Sequence, residues 1–279
     1  MTLTKLPIGL WVEFIVEWAQ IHLEWLFDFI TMIIKLLVSG IETIFLAVPP
    51  LVIIVLVFIL VWFVANRGLA IGTAIGLFLI QNMQLWEASI ETLALILAST
   101  ALALVMGIPL GILTARSDFA HKLMMPLLDF MQTMPAFVYL IPAVLFFGLG
   151  QVPGLFATVI FAMPPTIRLT GLGIRQVPAE LVEAADAFGS TEWQKLVRIQ
   201  VPLALPTIMA GVNQCIMLSL SMVVIAAMIG AGGLGTEVLA GLSRIDIAKG
   251  FEGGLAIVIM AVILDRVTQS LTEKRKIKV

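Results

Sequence analysis

Few residues in this 279-residue chain have the type and spacing of reacting groups. The single tyrosine, Tyr139, and His121 have no second member of a catalytic constellation near them, and a solvated or interfacial place is expected for both. The one cysteine, Cys215, sits in an apolar run and reads as a small buried hydrophobe. The stretch Gly230 to Gly235 follows no strand pattern and lacks the Gly-Lys-Ser/Thr ending of a phosphate loop, so it reads as a turn at a helix end. No catalytic residue, metal site or cofactor is expected. What remains is a charged segment, Val182 to Pro202, inside an otherwise apolar sequence, and its chemistry is docking.

Glu180, Glu183 and Asp186, together with Ala184, Ala185 and Ala187, favour a short helix, because alanine is the best helix former. Pro178 suits its first turn. The alanines leave one face shallow, so another protein surface can approach closely. Gly189 suits the helix C-terminus, where a left-handed residue is wanted. A second helical stretch, Thr191 to Ile199, carries Trp193, Lys195 and Arg198 and leads to Pro202, which opens the next apolar run. The expected product is a helix–turn–helix fixed to a membrane helix; by shape alone, an ordinary amphipathic connection is an equal alternative.

The elements that must position this segment are membrane spans. The chain is 61% hydrophobic and 12% charged, with a mean hydropathy of +1.11, against about a quarter charged residues in soluble domains. Its apolar runs approach the ~20 residues of a spanning helix, not the ~10-residue alternation of a barrel strand. The fold class expected is an all-α polytopic membrane protein. Seven spans are expected, near 51–65, 69–82, 88–113, 132–148, 154–173, 203–230 and 254–271; the second is short, with a re-entrant or tilted segment as its alternative. The first 30 residues lack a basic n-region and a small-residue cleavage site, so no cleavable signal peptide is expected.

Placement of Lys and Arg gives the orientation. With the N-terminus outside and the C-terminus cytoplasmic, twelve of the sixteen fall inside: Arg67, Arg116, Lys122, Arg168, Arg175, Lys195, Arg198, Arg266, Lys274, Arg275, Lys276 and Lys278. Lys5, Lys35, Arg244 and Lys249 fall outside. Segment 182–202 then faces the cytoplasm. Residues 8–30 interleave Trp11, Phe14, Ile15, Trp18, Leu23, Leu26 and Phe27 with Glu13, Glu17, Glu24 and Asp28, which reads as an amphipathic helix lying along the outer interface. The run 29–48 is apolar but holds Lys35 and Glu42; an eighth span there would move the N-terminus inside.

Polar and helix-breaking residues within spans are the candidates for a transport path. Asn213 and Gln214 fall mid-way along the sixth span, with interhelical hydrogen bonding, worth under ~2 kcal/mol each, as the alternative. Asp265 lies late in the seventh, and Asp129, Gln132 and Thr133 flank the fourth. Met134-Pro135 and Met163-Pro164-Pro165 are expected to break helices inside the bundle, which is tolerated where a cavity or neighbour satisfies the backbone; a packing kink is the alternative.

The residues of the charged segment carry more than a shape. Glu183-Ala184-Ala185, three residues, Gly189, nine residues, Ile199, one residue and Val201-Pro202 resemble the EAA motif of ABC importer permeases. That family pattern ends Ile-x-Leu-Pro, and Val201 here is an apolar replacement. Met131 to Pro142, Phe161 to Thr170 and Ser221 to Gly235 further resemble the quaternary-amine branch of that family, over about residues 88–265. The resemblance implies a type I ABC importer permease arrangement, with segment 1–48 as an N-terminal amphipathic scaffold, 49–86 as accessory helices, 87–272 as the permease core, 176–202 as its coupling loop and 273–279 as a basic tail.

It also implies a role. Glu183, Ala184, Ala185, Gly189, Ile199 and Pro202 would form the element that meets a separate ATPase subunit, where ATP is hydrolysed. The outer loop 231–252, through Arg244, Asp246, Lys249 and Glu252, would touch an extracytoplasmic substrate-binding protein. A second permease copy completes the expected complex in a bacterial cell membrane, with no nucleic acid partner. The expected solute is glycine betaine or a related quaternary-amine osmoprotectant; choline, carnitine, proline or another amino acid is the alternative. An ATP-independent secondary transporter is the competing class. The tryptophans lie outside the expected path spans, so tight cation recognition by an aromatic cage is assigned to the binding protein.

Overall fold

A computed structural model describes residues 8–276, with the side chains at 8, 10, 12 and beyond 270 left aside. Lys5 and residues 277–279 of the basic tail lie outside the described residues. Every regular element among the described residues is helical: α1 (Ile8–His22), α2 (Glu24–Leu46), α3 (Pro50–Val64), α4 (Arg67–Asn82), α5 (Trp86–Arg116), α6 (Asp118–Thr133), α7 (Ala136–Phe147), α8 (Gln151–Arg175), α9 (Ala179–Ala187), α10 (Glu192–Lys195), α11 (Val201–Ala226), α12 (Leu234–Arg244) and α13 (Ile247–Lys276). A five-residue π-helix, Leu196–Gln200, joins α10 to α11.

Five helical runs are long and apolar enough to cross a bilayer: α2, α5, α8, the continuous run Glu192–Ile229 and α13. The α6–α7 pair makes a sixth when its two arms, bent by 97°, are taken as one span. The expected seven spans thus comprise four of these full-length runs, the bent pair and two shorter helices, with α2 in addition. The runs at 51–65 and 69–82 become α3 and α4, of 15 and 16 residues. At 1.5 Å per residue each is about 24 Å or less, short of the ~30 Å hydrocarbon core. They form a helical hairpin turning at Asn66, whose Oδ1 accepts the Leu69 N–H at 2.9 Å. The amphipathic segment at 8–30 is two helices, interrupted at Leu23.

The centre of the bundle is α8, with α5 on one flank and α11 on the other. Little hydrophobic driving force separates one helix surface from another in lipid, so close approach through small residues provides the association. A Cβ on Gly107 would lie 3.1 Å from Thr166, and one on Gly111 would lie 2.5 Å from the Thr170 Cβ. On the other flank, a Cβ on Gly211 would meet Leu169 at 3.1 Å. Thr166, Thr170, Ser99 and Cys215 are fully buried between these helices, so Cys215 is the buried hydrophobe expected.

Tyr139 is buried, which corrects its expected solvated place: its hydroxyl donates to the Met131 carbonyl and its ring packs edge-on against Phe161. The helix breaks also resolve differently. The chain does turn at Met134–Pro135, between α6 and α7. At Met163–Pro164–Pro165 it does not: α8 runs unbroken from Gln151 to Arg175 with both prolines buried. The missing proline N–H groups remove ladder bonds, but packing against α5 and α11 on both flanks keeps the helix axis.

Candidate functional site

The charged segment folds as α9, a turn and α10. α9 has nine residues, too few to be stable alone, so its order comes from its attachments. Pro178 sits at its N-cap, and the chain leaves it through Gly189, at φ +74°, the left-handed conformation that suits glycine. Ser190 N–H returns to the Ala185 carbonyl at 3.0 Å. Thr191 then caps α10 in a reciprocal box with Gln194. The π-helix before Pro202 fits the proline chemistry: Val201 N–H bonds the Leu196 carbonyl, five residues back, just where Pro202 has no N–H to continue an α ladder.

Of the six motif residues, Glu183, Ala184, Gly189 and Pro202 are exposed, Ile199 is half-buried in the π-helix and Ala185 is buried. Ala185 is the buried member of α9, and Glu183 lines a cleft shared with Arg116 and Arg175 at the ends of α5 and α8. Two large apolar side chains are presented with them: Phe188 is 90% exposed and Trp193 67% exposed. Phe188 stands at the C-terminal end of α9 and Trp193 in α10.

Ion pairs tie this element together and to the bundle. The Lys195 side chain, 10% exposed, places Nζ 2.6 Å from Asp186 of α9 and 2.5 Å from Glu192 of α10. Glu192 in turn meets Arg116, at the end of α5, at 2.9 Å. Beside it, Arg175 at the end of α8 donates to the Thr114 carbonyl and to Asp118. The run Glu192–Ile229 has 38 residues, about 57 Å, so its first turns project beyond any bilayer. In this aqueous part, hydrogen bonds from Lys195 and then from Arg116 hold the Glu192 carboxyl below its ordinary value. Hydrogen bonds to Asp186 and then Glu192 raise the Lys195 ammonium.

The path candidates do not form one site. Met163 and Pro164 are buried beside α5, with the Met163 side chain against Gly107. Met134 and Pro135 lie at the bend, Met134 half-buried and Pro135 exposed. Asn213 Nδ2 donates to Asp265 of α13 at 2.9 Å, and Gln269 donates to both oxygens of the same carboxylate; this is the interhelical hydrogen bonding weighed as an alternative. Gln214 is exposed, on the stripe of α11 that also carries Met217 and Ser221.

At the far end from α9, the glycine-rich stretch is a turn held from α5. Glu91 accepts the Gly233 N–H at 2.7 Å and Thr92 accepts the Leu234 N–H at 2.8 Å. Residues 231–252 hold a helix, α12, and its turn into α13. Asp246 caps α13 by accepting the Lys249 N–H, and the Lys249 ammonium pairs with Glu237 at 2.8 Å. Arg244 and Asp246 are exposed. Between them Ile245 holds φ +55° at 86% exposure, a costly conformation for a β-branched residue. Sequence reasoning missed Ile245, and it missed the Lys195 ties; the Glu192–Lys195 spacing of three on a helix was the available signal.

Known proteins share this architecture and sequence. The chain is 54% identical over 277 residues to the glycine betaine/carnitine transport permease protein GbuB of Listeria monocytogenes serotype 1/2a (strain 10403S), covering 97% of each chain. It is 47% identical over 274 residues to the glycine betaine transport system permease protein OpuAB of Bacillus subtilis (strain 168), covering 98% of this chain and 97% of that one. It is 46% identical over 268 residues to the glycine betaine/proline betaine transport system permease protein ProW of Escherichia coli (strain K12), covering 96% and 76%. The inward-facing MetNI methionine ABC transporter matches with a TM-score of 0.62 at 19% identity, covering 66% of this chain and 93% of that one, which shows the fold of a type I ABC importer permease. A family model matches residues 107–275, and with it the chain belongs to the family described as binding-protein-dependent transport system inner membrane component.

Proposed function

We propose that this chain is the membrane-spanning subunit of an ATP-driven importer of glycine betaine or a related quaternary-amine osmoprotectant. The observation that carries the reading is the α9–α10 element, exposed at Glu183, Ala184 and Phe188 and fused through the π-helix to a membrane helix. It presents a shallow alanine face and one aromatic tip to a partner while its base is fixed by Lys195 and Arg116. Among the described residues no group of three or more His, Cys, Asp or Glu could hold a metal ion. Energy enters from a separate ATPase subunit seated on α9, and the chain itself is a transport subunit. Two copies form the path, because one permease type must then match two ATPase clefts.

The α9 side is the cytoplasmic side, consistent with Arg116, Arg175, Lys195 and Arg198 gathered there. The N-terminal segment 1–48 is a scaffold. Within it Glu24, Asp28, Lys35 and Glu42 recur at spacings of four and seven along α2, which is itself long and apolar enough to cross the bilayer; a crossing there places the N-terminus inside. α3 and α4 are accessory to the core 87–272, and the tail 273–279 is cytoplasmic. On the outer side, Arg244 and Asp246 beside the strained Ile245 offer the contact for a substrate-binding protein.

Proteoliposomes containing this chain, its ATPase subunit and its binding protein are expected to accumulate radiolabelled glycine betaine only with ATP inside. Uptake that persists without the ATPase subunit would return the chain to the secondary-transporter class.

A further inference from the structure

We infer that Arg168 and Asp129 form a substrate station on the transport path, where a zwitterionic amine exchanges with the ion pair: the substrate carboxylate on Arg168, its cationic nitrogen opposite Asp129. The inference rests on the substrate reading above and adds to it a permease site of stated chemistry.

Arg168 lies on α8 and Asp129 on α6, with Nη2 2.6 Å from the carboxylate. A second rung, Arg175 with Asp118 at 2.8 Å, marks the α9 end of the same two helices. Seven residues separate Arg168 from Arg175, so the pair lies about 10 Å along the axis from that end of a 25-residue helix. At that depth a carboxylate with 66% of its side chain exposed is poorly matched to acyl chains and belongs on a hydrated space. Its surroundings agree. Gln132 and Thr133, at the end of α6, are exposed as well, and directly after them the chain bends by 97° at Met134–Pro135. The polar, broken stretch of the span and the charged pair thus share one place.

The pair is also chemically incomplete. Arg168 uses Nη2 on one Asp129 oxygen, while its Nε is sealed from solvent without a hydrogen bond, so the open edge of the guanidinium is its Nη pair. A guanidinium prefers a bidentate carboxylate, and a single bond leaves the fork unfilled. A betaine carries one carboxylate to occupy that fork and one cation, without N–H groups, that needs only an opposing charge. Asp129 supplies that charge once it is displaced from Arg168. Neither an anion nor a simple cation satisfies both partners. No aromatic cage is required, so the station is weak and releases its load, as a path demands.

The test uses the complete complex in proteoliposomes, with glycine betaine as the probe. Wild-type uptake first decides the substrate reading on its own. Given uptake, Arg168→Lys retains the charge and the ion pair but removes the fork, and Asp129→Asn removes the counter-charge. Each is expected to lower the maximal uptake rate about tenfold, with complex assembly and basal ATP hydrolysis retained. Unchanged uptake in both variants overturns the inference. So does full recovery in the exchanged pair Arg168→Asp with Asp129→Arg, because a merely structural bridge survives reversal whereas an oriented station does not. If Asp129→Asn fails to assemble, Arg168→Lys alone decides by the same criterion.

Discussion

The bundle centre and the α9–α10 element solve opposite problems with opposite means. Where α5, α8 and α11 meet, glycines bring helices together, and buried threonines and a cysteine sit between them. In the α9–α10 element almost every side chain is exposed, the helices are too short to stand alone, and order depends on one buried ammonium, two carboxylates and a left-handed glycine. The first is rigid because it is full. The second is rigid only while a few contacts hold, which suits a part that must be gripped and moved. Damage to the centre should therefore unfold the protein, whereas damage to the element should uncouple it.

The largest effect is expected from Gly111→Leu. Its Cβ would fall 2.5 Å from Thr170, and overpacking at such a contact costs on the order of 3 kcal/mol. The purified protein should melt at clearly lower temperature in detergent; an unchanged melting point would show that α5 and α8 are looser than described. Gly189→Val comes next. A β-branched residue at φ +74° costs about 1–2 kcal/mol, all of it local. ATP-driven uptake should fall severely while the melting temperature stays within error of wild type.

Lys195→Met should be milder. It frees Asp186 and leaves Glu192 with Arg116 alone, and about a fivefold loss of uptake is expected, largely recovered by Lys195→Arg. Loss of complex assembly instead would move Lys195 into the docking face. The smallest effect is that of pH on the element. The lowered Glu192 carboxyl supplies order that is present above its unfolded value and lost as pH falls through its folded one. The raised Lys195 ammonium supplies order that is present below its unfolded value and lost as pH rises through its folded one. A spin label at Phe188→Cys, in a Cys215→Ala background, should keep constant mobility from about pH 5 to 9 and loosen only below the ordinary glutamate value of about 4.3. Loosening between pH 6 and 8 would assign the order to some other group.

How much was legible in the sequence depended on how local the cause was. The α9–α10 turn was readable because helix formers, Pro178 and Gly189 each act within their own few residues. The two Met-Pro sites show the limit. The same dipeptide turns the chain by 97° at Met134–Pro135 and leaves α8 unbroken at Met163–Pro164. The difference lies in the neighbours: Met163 lies against Gly107 of α5 and the Pro165 carbonyl against Gly211 of α11, while Pro135 is exposed. Such packing is fixed by residues far along the chain. The same holds for the Asp186–Lys195 tie and for Arg116 reaching Glu192 across 76 positions. The α3–α4 pair was legible as two short apolar helices, but hydropathy reports solvent and not whether a helix reaches across it.

One feature carries a thermodynamic consequence. The helical run from Glu192 to Ile229 is uninterrupted, and the glycine turn at its end is held by Glu91 and Thr92. Whatever state the run adopts is shared by both of its ends. A partner that binds one end more tightly in one state must change the affinity at the other end by the same factor, and the reverse must hold equally. With the partners seated as proposed, occupancy of the ATPase should be readable in how strongly the binding protein holds the far end, and in either direction.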